Sequence, residues 1–152
     1  MSTVLAATRP TDWNLALFVH VLGAAVLVSG LFTGAGALAL ARGQERLLRV
    51  GYWSLVAVGL PGLVVMRIGA EWIYSKEGWG DVEDEPAWLG IGWVTADLGG
   101  LLFLLSLVIG GVGVYRLRSG KGGALLKVTL VLSLILLAAY VVAAWAMAGK
   151  PD

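Results

Sequence analysis

Four long apolar stretches, residues 15–41, 50–73, 89–115 and 125–148, leave this chain very few ways to fold. Each exceeds the roughly 20 apolar residues with which an α-helix crosses the hydrocarbon of a bilayer. Backbone N–H and C=O groups find no water there and must pair within the segment, which requires helices; membrane-spanning strands are about half as long and alternate in polarity. The scarcity of charge points the same way. Only 14% of the 152 residues are charged and 59% are hydrophobic, whereas a soluble domain has about 25% charged residues to cover its surface. The expected fold is therefore all-α: a single integral-membrane domain over residues 1–152, built as an antiparallel bundle of four transmembrane helices. The first stretch is read as a retained span and not as a cleaved signal. It is about twice as long as a signal h-region, and its positive flank, Arg42, Arg46 and Arg49, lies on the C-terminal side.

Orientation follows from the bias of Lys and Arg toward cytoplasmic connections. The first connection, 42–49, carries Arg42, Arg46 and Arg49; the third, 116–124, carries Arg116, Arg118 and Lys121, with Lys127 opening the last helix. The second, 74–87, holds Glu77, Asp81, Glu83, Asp84 and Glu85, with Glu71 just before it, against a single Lys76. Connections 42–49 and 116–124 are thus expected on the cytoplasmic side of a bacterial-type inner membrane, with the acidic loop and both termini outside. Trp13, Trp72, Trp79, Trp88 and Trp145 fall at the outer boundary and Trp53 at the inner one, where indole rings prefer to sit. Topology alone accounts for the basic connections, so they give no reason to infer a nucleic-acid partner. The partners expected are the lipid bilayer and, for so small a bundle, a second copy or a larger membrane complex.

In lipid, helices associate through small residues that allow close approach. The first helix carries such a seam at helical spacing: Ala16, His20, Gly23, Leu27, Gly30, Gly34, Ala37 and Ala41. The last helix has a comparable face of Thr129, Ser133, Leu136, Tyr140, Ala143 and Met147, and the third offers Trp93, Asp97, Gly100, Leu104, Leu107 and Gly111. The second contains Pro61 between Gly59 and Gly62. Proline removes a helical hydrogen bond and leaves the Ala57 carbonyl unpaired, so a kink is expected near mid-membrane, read first as a packing feature and second as a hinge.

One polar residue per helix falls at a common depth. At about 1.5 Å of rise per residue, His20 lies about 8 Å below the outer end of its helix and Arg67 about 8 Å in from Trp72. Asp97 lies about 12 Å in from Leu89 and Tyr140 about 10 Å in from Met147. Ionisable groups at such depths normally face the bundle and pair. Arg67 has two candidate partners, Glu71 one turn away on its own helix and Asp97 on the third; His20 would accept from Arg67 or Tyr140, or donate to Asp97. The candidate site is therefore His20, Arg67, Glu71, Asp97 and Tyr140. Two readings stand beside each other. One is an outward-facing pocket for a proton, a metal ion or a small polar ligand. The other is an ion pair that fixes helix register, with Arg67 reaching toward the interface.

No cysteine is present, which excludes disulfides, thiol redox chemistry, Cys-ligated zinc and iron–sulfur clusters. A single histidine cannot make a bis-histidine haem site, so haem is disfavoured. Copper(I) accepts thioether and imidazole ligands, and His20, Met66 and Met147 are the residues from which such a site would be drawn. No phosphate-binding, zinc-protease or nucleophile-elbow motif occurs, so an enzyme is not expected.

The run Phe18-Val19-His20-Val21-Leu22-Gly23-Ala24-Ala25-Val26-Leu27-Val28-Ser29-Gly30 resembles the opening helix of CopD-like and other small, uncharacterised four-helix proteins of bacterial inner membranes. The ending Met147-Ala148-Gly149-Lys150-Pro151-Asp152 is similar to a lysine–proline ending in that group. The resemblance implies an inner-membrane four-helix fold and, in some members, a link to copper uptake, with His20 at the position that would touch metal. The expected function is binding, sensing or moving a cation or proton through the polar site in the outer half of the bundle. The alternative is an accessory or structural subunit of a larger membrane complex.

Overall fold

The computed structural model describes residues 11–81 and 86–149. A single 3₁₀ turn, Thr11–Trp13, leads into helix α1, Asn14–Leu40. Helix α2, Glu45–Glu77, is α-helical over Glu45–Ser54 and Leu60–Glu77 and passes between them through a π turn at Leu55–Gly59. After a 3₁₀ turn at Trp79–Asp81 come α3, Ala87–Leu117, and α4, Gly123–Gly149. All four helices are long and apolar enough to cross a membrane. The 27 residues of α1 extend about 40 Å, against a hydrocarbon thickness of about 30 Å. The polar turns punctuate as the sequence suggests. Gly78, with φ of 70°, stops α2 in the left-handed conformation that favours glycine. The basic turn after α3 closes over Gly122, where a Cβ would lie 2.0 Å from the Gly113 carbonyl oxygen.

The helices close a ring. Helix α1 packs along both α2 and α4, α3 packs along α4, and α2 meets α3 most closely at the basic end. The dominant contact is α1 on α2, where backbone meets backbone. A Cβ on Gly23 would lie 2.1 Å from the Met66 nitrogen, and one on Gly62 would lie 2.3 Å from the Leu27 nitrogen. Gly69 receives the His20 backbone, Gly30 meets Gly59, Gly34 takes Leu55 and Gly51 takes Leu38. The two series, 20–23–27–30–34–38 and 69–66–62–59–55–51, step by the same intervals in opposite directions, as an antiparallel pair requires. Of the expected α1 seam, six residues are buried and His20 and Ala37 are half-buried. On α4, Thr129, Ser133, Leu136, Tyr140 and Ala143 are buried as expected, and Met147 is half-buried.

Helix α2 continues through Pro61. The preceding turn widens, and the Leu60 N–H bonds the Leu55 carbonyl, five residues back. A π turn gives the Pro61 ring room at the carbonyls one turn earlier without ending the helix. The packing face expected on α3 needs correction in part: Gly100 and Leu107 are buried and Trp93 and Gly111 half-buried, but the face is not centred on them. Leu104 and Asp97 are exposed, and the buried face runs through Gly92, Gly99, Phe103, Ser106, Gly110 and Gly113. Element ends move by a few residues too: positions 74–77, expected in the acidic loop, continue α2. Residues 82–85 of that loop and the ending 150–152 lie outside the described residues.

The glycine contacts set a prediction. Gly23→Ala or Gly62→Ala forces α1 and α2 apart and should destabilise the bundle by about 1–3 kcal/mol, the usual cost of overpacking. Gly36→Ala, where a Cβ meets nothing within 4 Å, should be neutral or stabilising by up to about 1 kcal/mol through helix propensity. Unfolding of the purified variants in detergent, followed by circular dichroism, checks the contrast; equal stability of all three would overturn the close-contact reading.

Candidate functional site at the acidic end

Arg67 is the centre of the site. It shares a face of α2 with Glu71, one turn on, and itself reaches across to α3. Its Nη2 lies 2.9 Å from Asp97 Oδ1 and 3.1 Å from Glu71 Oε1. Its guanidinium carbon sits 4.5 Å from the ring centroid of Trp93, which precedes Asp97 by one turn and therefore occupies the same side of α3. Trp93 is itself braced edge-on by Tyr74 of α2, with centroids 5.2 Å apart. One cation thus lies between two carboxylates and an aromatic face, and the cluster carries a formal charge of −1. The carboxylate side chains are 56% and 60% exposed, while that of Arg67 is 35% exposed. The acids are reachable from outside the bundle and the cation is largely covered. Arg67 Nη1 is buried without a hydrogen-bond partner.

His20 is attached to α2 differently from expectation. Its Nδ1 lies 3.1 Å from the Met66 carbonyl oxygen. A carbonyl only accepts, so Nδ1 carries the proton, and in the neutral ring Nε2 keeps the lone pair. The bond is possible because Gly69 lets the His20 backbone settle against α2. His20 therefore pairs with the backbone beside Arg67, and not with Arg67, Asp97 or Tyr140. Tyr140 is separate as well. It is 6% exposed and its hydroxyl points at Gly99 on α3, 3.1 Å from where a Cβ would stand, with no hydrogen-bond partner. Of the five residues, Arg67, Glu71 and Asp97 converge; His20 adjoins them through Met66; Tyr140 belongs to the α3–α4 contact.

The sequence reading placed Trp93 on a packing face and gave Tyr74 no role, yet the first is the platform for Arg67 and the second its brace. A signal existed: Trp93 and Asp97 are four residues apart on α3, as Arg67 and Glu71 are on α2. Around the site, Lys76 Nζ lies 3.2 Å from Asp12 Oδ2, tying the first turn to the end of α2. Trp79 Nε1 donates to Glu77 at 2.5 Å and stacks edge-on against Trp88 at 5.7 Å.

Of the residues named for copper, His20 and Met66 adjoin each other and Met147 sits against α3. Met66 lies in the core with its backbone against Gly23, His20 is bonded to that backbone, and the Met147 methyl group packs on Gly92 of α3. Among the described residues, no group of three His, Cys, Asp or Glu side chains is placed to hold a metal ion. No family model, curated protein or solved structure matches the chain.

The Arg67–Asp97 contact predicts an energetic coupling. A double-mutant cycle of Arg67→Gln and Asp97→Asn should give about 0.5–3 kcal/mol of interaction energy, the range for residues in direct contact. Unfolding in detergent measures it. Asp97→Asn alone should be the milder single change, because Glu71 still holds the guanidinium. Strictly additive effects would remove the pair from any functional argument.

Proposed function

We propose that the chain is a non-enzymatic, multi-pass protein of a bacterial-type inner membrane. In this reading its acidic end faces outside and senses a proton or small cation through Arg67, Glu71 and Asp97. One observation carries the reading. Among the described residues, Arg67–Asp97 is the ion pair that joins the two helical hairpins, α1–α2 and α3–α4. Its carboxylate side is exposed and its net charge is negative, so a proton taken up by Asp97, or a cation drawn to the two acids, competes directly with Arg67. Release of Arg67 removes the charged tie across the α2–α3 seam. His20, on the neighbouring backbone, is the adjoining polar group. The geometry favours sensing over passage. Farther along the bundle the centre is filled by Leu27, Leu31, Phe103 and Leu136. The buried polar groups there are the hydroxyls of Ser106, Thr129 and Ser133, two of which are bonded to backbone carbonyls. The outward orientation rests on the Lys/Arg bias. The resemblance to CopD-like proteins rests on the opening helix and the lysine–proline ending, and copper has no support from the geometry.

The second reading, an accessory subunit of a larger complex, is favoured by the outward side of α1. Ala25, Ser29 and Thr33 are exposed there, and Gly36 meets nothing within 4 Å. Small residues at helical spacing suit close approach by another helix in lipid. Co-purification of a fixed partner in mild detergent supports this reading, and recovery of a lone monomer counts against it.

The sensing proposal is tested by a distance. The chain has no cysteine, so spin labels at Ile68→Cys and Leu98→Cys, both exposed, report on α2 and α3 alone. In vesicles, the label separation should lengthen when the medium is acidified enough to protonate carboxylates. It should stay long at every pH in the Asp97→Asn background. An unchanged separation in the otherwise native chain rules out the latch.

A further inference from the structure

At the end of the bundle opposite the acids, a groove of about 330 Å³ opens between the start of α2 and the end of α3. Its walls are Arg49, Tyr52 and Trp53 from α2, and Gly111, Tyr115 and Arg118 from the α3 side. Gly111 makes the floor: a Cβ there would lie 2.9 Å from the Tyr52 hydroxyl. Each wall therefore brings one guanidinium, and the rings of Tyr52, Trp53 and Tyr115 line the space between them. Arg49 has a weak tie to Glu45, 3.6 Å away on its own helix. Arg118 has no carboxylate within 4.0 Å among the described residues. A second groove of about 390 Å³, between α1 and α4 at the same end, carries Arg42 and Lys127 but is lined by aliphatic residues without an aromatic ring.

From this placement we propose that the α2–α3 groove binds the phosphate headgroup of an anionic phospholipid. The proposal rests on the reading of the chain as a membrane protein. The bias of basic residues toward the cytoplasm explains why arginines sit at this end, but it does not require one on each wall of an aromatic-lined groove. The chemistry needed is present. Guanidinium groups match phosphate oxygens in geometry as well as charge. Tyrosine and tryptophan rings sit by preference at the level of lipid headgroups. The apolar surface beneath, Val114 on α3 and Trp53 on α2, is suited to the first methylenes of an acyl chain. A lipid is committed to over a free phosphate because the groove continues into apolar surface and Trp53 and Tyr115 are exposed along it.

The full chain, in a non-ionic detergent, is titrated with phosphatidylglycerol or phosphatidylcholine and the bound lipids are counted by native mass spectrometry. Phosphatidylglycerol should bind at least about tenfold more tightly, a difference of about 1.4 kcal/mol. Arg49→Gln with Arg118→Gln should abolish that preference, while Arg46→Gln, on the same end but outside the groove, should keep it. Should the double variant fail to fold, Arg118→Gln alone, at an exposed helix end, should lower the preference several-fold. Equal binding of the two lipids, or an unchanged preference in the groove variants, overturns the proposal. Displacement of the lipid by millimolar glycerol 3-phosphate also overturns it, in favour of a soluble phosphate ligand. Resistance of vesicle-reconstituted protein to alkaline extraction is scored separately. Its failure would remove the membrane reading itself, whereas loss of headgroup preference alone removes only the site.

Discussion

Contact between two backbones organises this bundle. In lipid no hydrophobic force draws one apolar helix to another, so association depends on van der Waals fit and polar contacts, both of which require close approach. Helices α1 and α2 achieve it by giving nearly every level of their interface a glycine on one side and a larger residue on the other. Gly23 admits Met66, Gly62 admits Leu27 and Gly69 admits His20. The consequences reach the polar site. With the His20 backbone against Gly69, its ring reaches the Met66 carbonyl. With α2 fixed in azimuth by the same contacts, the next residue, Arg67, extends to the Asp97 carboxylate of α3.

The second seam, α2 against α3, is of another kind. Side chains span it instead of backbones. Tyr52 reaches Gly110 and Gly111 at the basic end, Phe103 fills the space before Gly59 in the middle, and Arg67 crosses to Asp97 at the acidic end. An aromatic ring resting on glycine is held by dispersion, whereas an ion pair can be cancelled by a single proton. The first hairpin, by contrast, is joined by backbone contact. The seam between hairpins is where a change of charge would have a structural effect.

What could be read from the sequence divides along the same physical line. Helix number, approximate ends and the depth of polar residues follow from apolar length and rise per residue, and these properties belong to each segment alone. The face of α1 was legible because its small residues are concentrated on one side. The face of α3 was legible only in part, at Gly100 and Leu107, because the helix is apolar nearly all round: Phe103 and Leu104 differ in burial but not in character, so periodicity carries little phase. The same limit explains Tyr140. Counting places it at the depth of Asp97, but depth says nothing about azimuth, and its hydroxyl faces Gly99 on the α3–α4 contact. The π turn before Pro61 was not legible, because a lost hydrogen bond permits either a simple kink or a widened turn. The choice between them lies with the neighbour, and Gly59 and Gly62 must stay at backbone distance from α1 for the bundle to close.

The two ends of the α2–α3 seam differ in sign and share a mechanical element. At one end Arg67 is held by acids on both helices; at the other Arg49 and Arg118 face each other across a groove with one weak acid, Glu45, in reach of the first. Like charge on Arg49 and Arg118 would favour separation of the groove walls, and the Arg67–Asp97 pair would favour approach at the acidic end. An anion between Arg49 and Arg118 would remove the repulsion, and a proton on Asp97 would remove the attraction. If α2 and α3 pivot against each other along this seam, each of the two proposed events would change the cost of the other. Thermodynamic linkage makes that dependence reciprocal: whatever a headgroup does to proton affinity at Asp97, the proton does in equal measure to headgroup affinity at the groove.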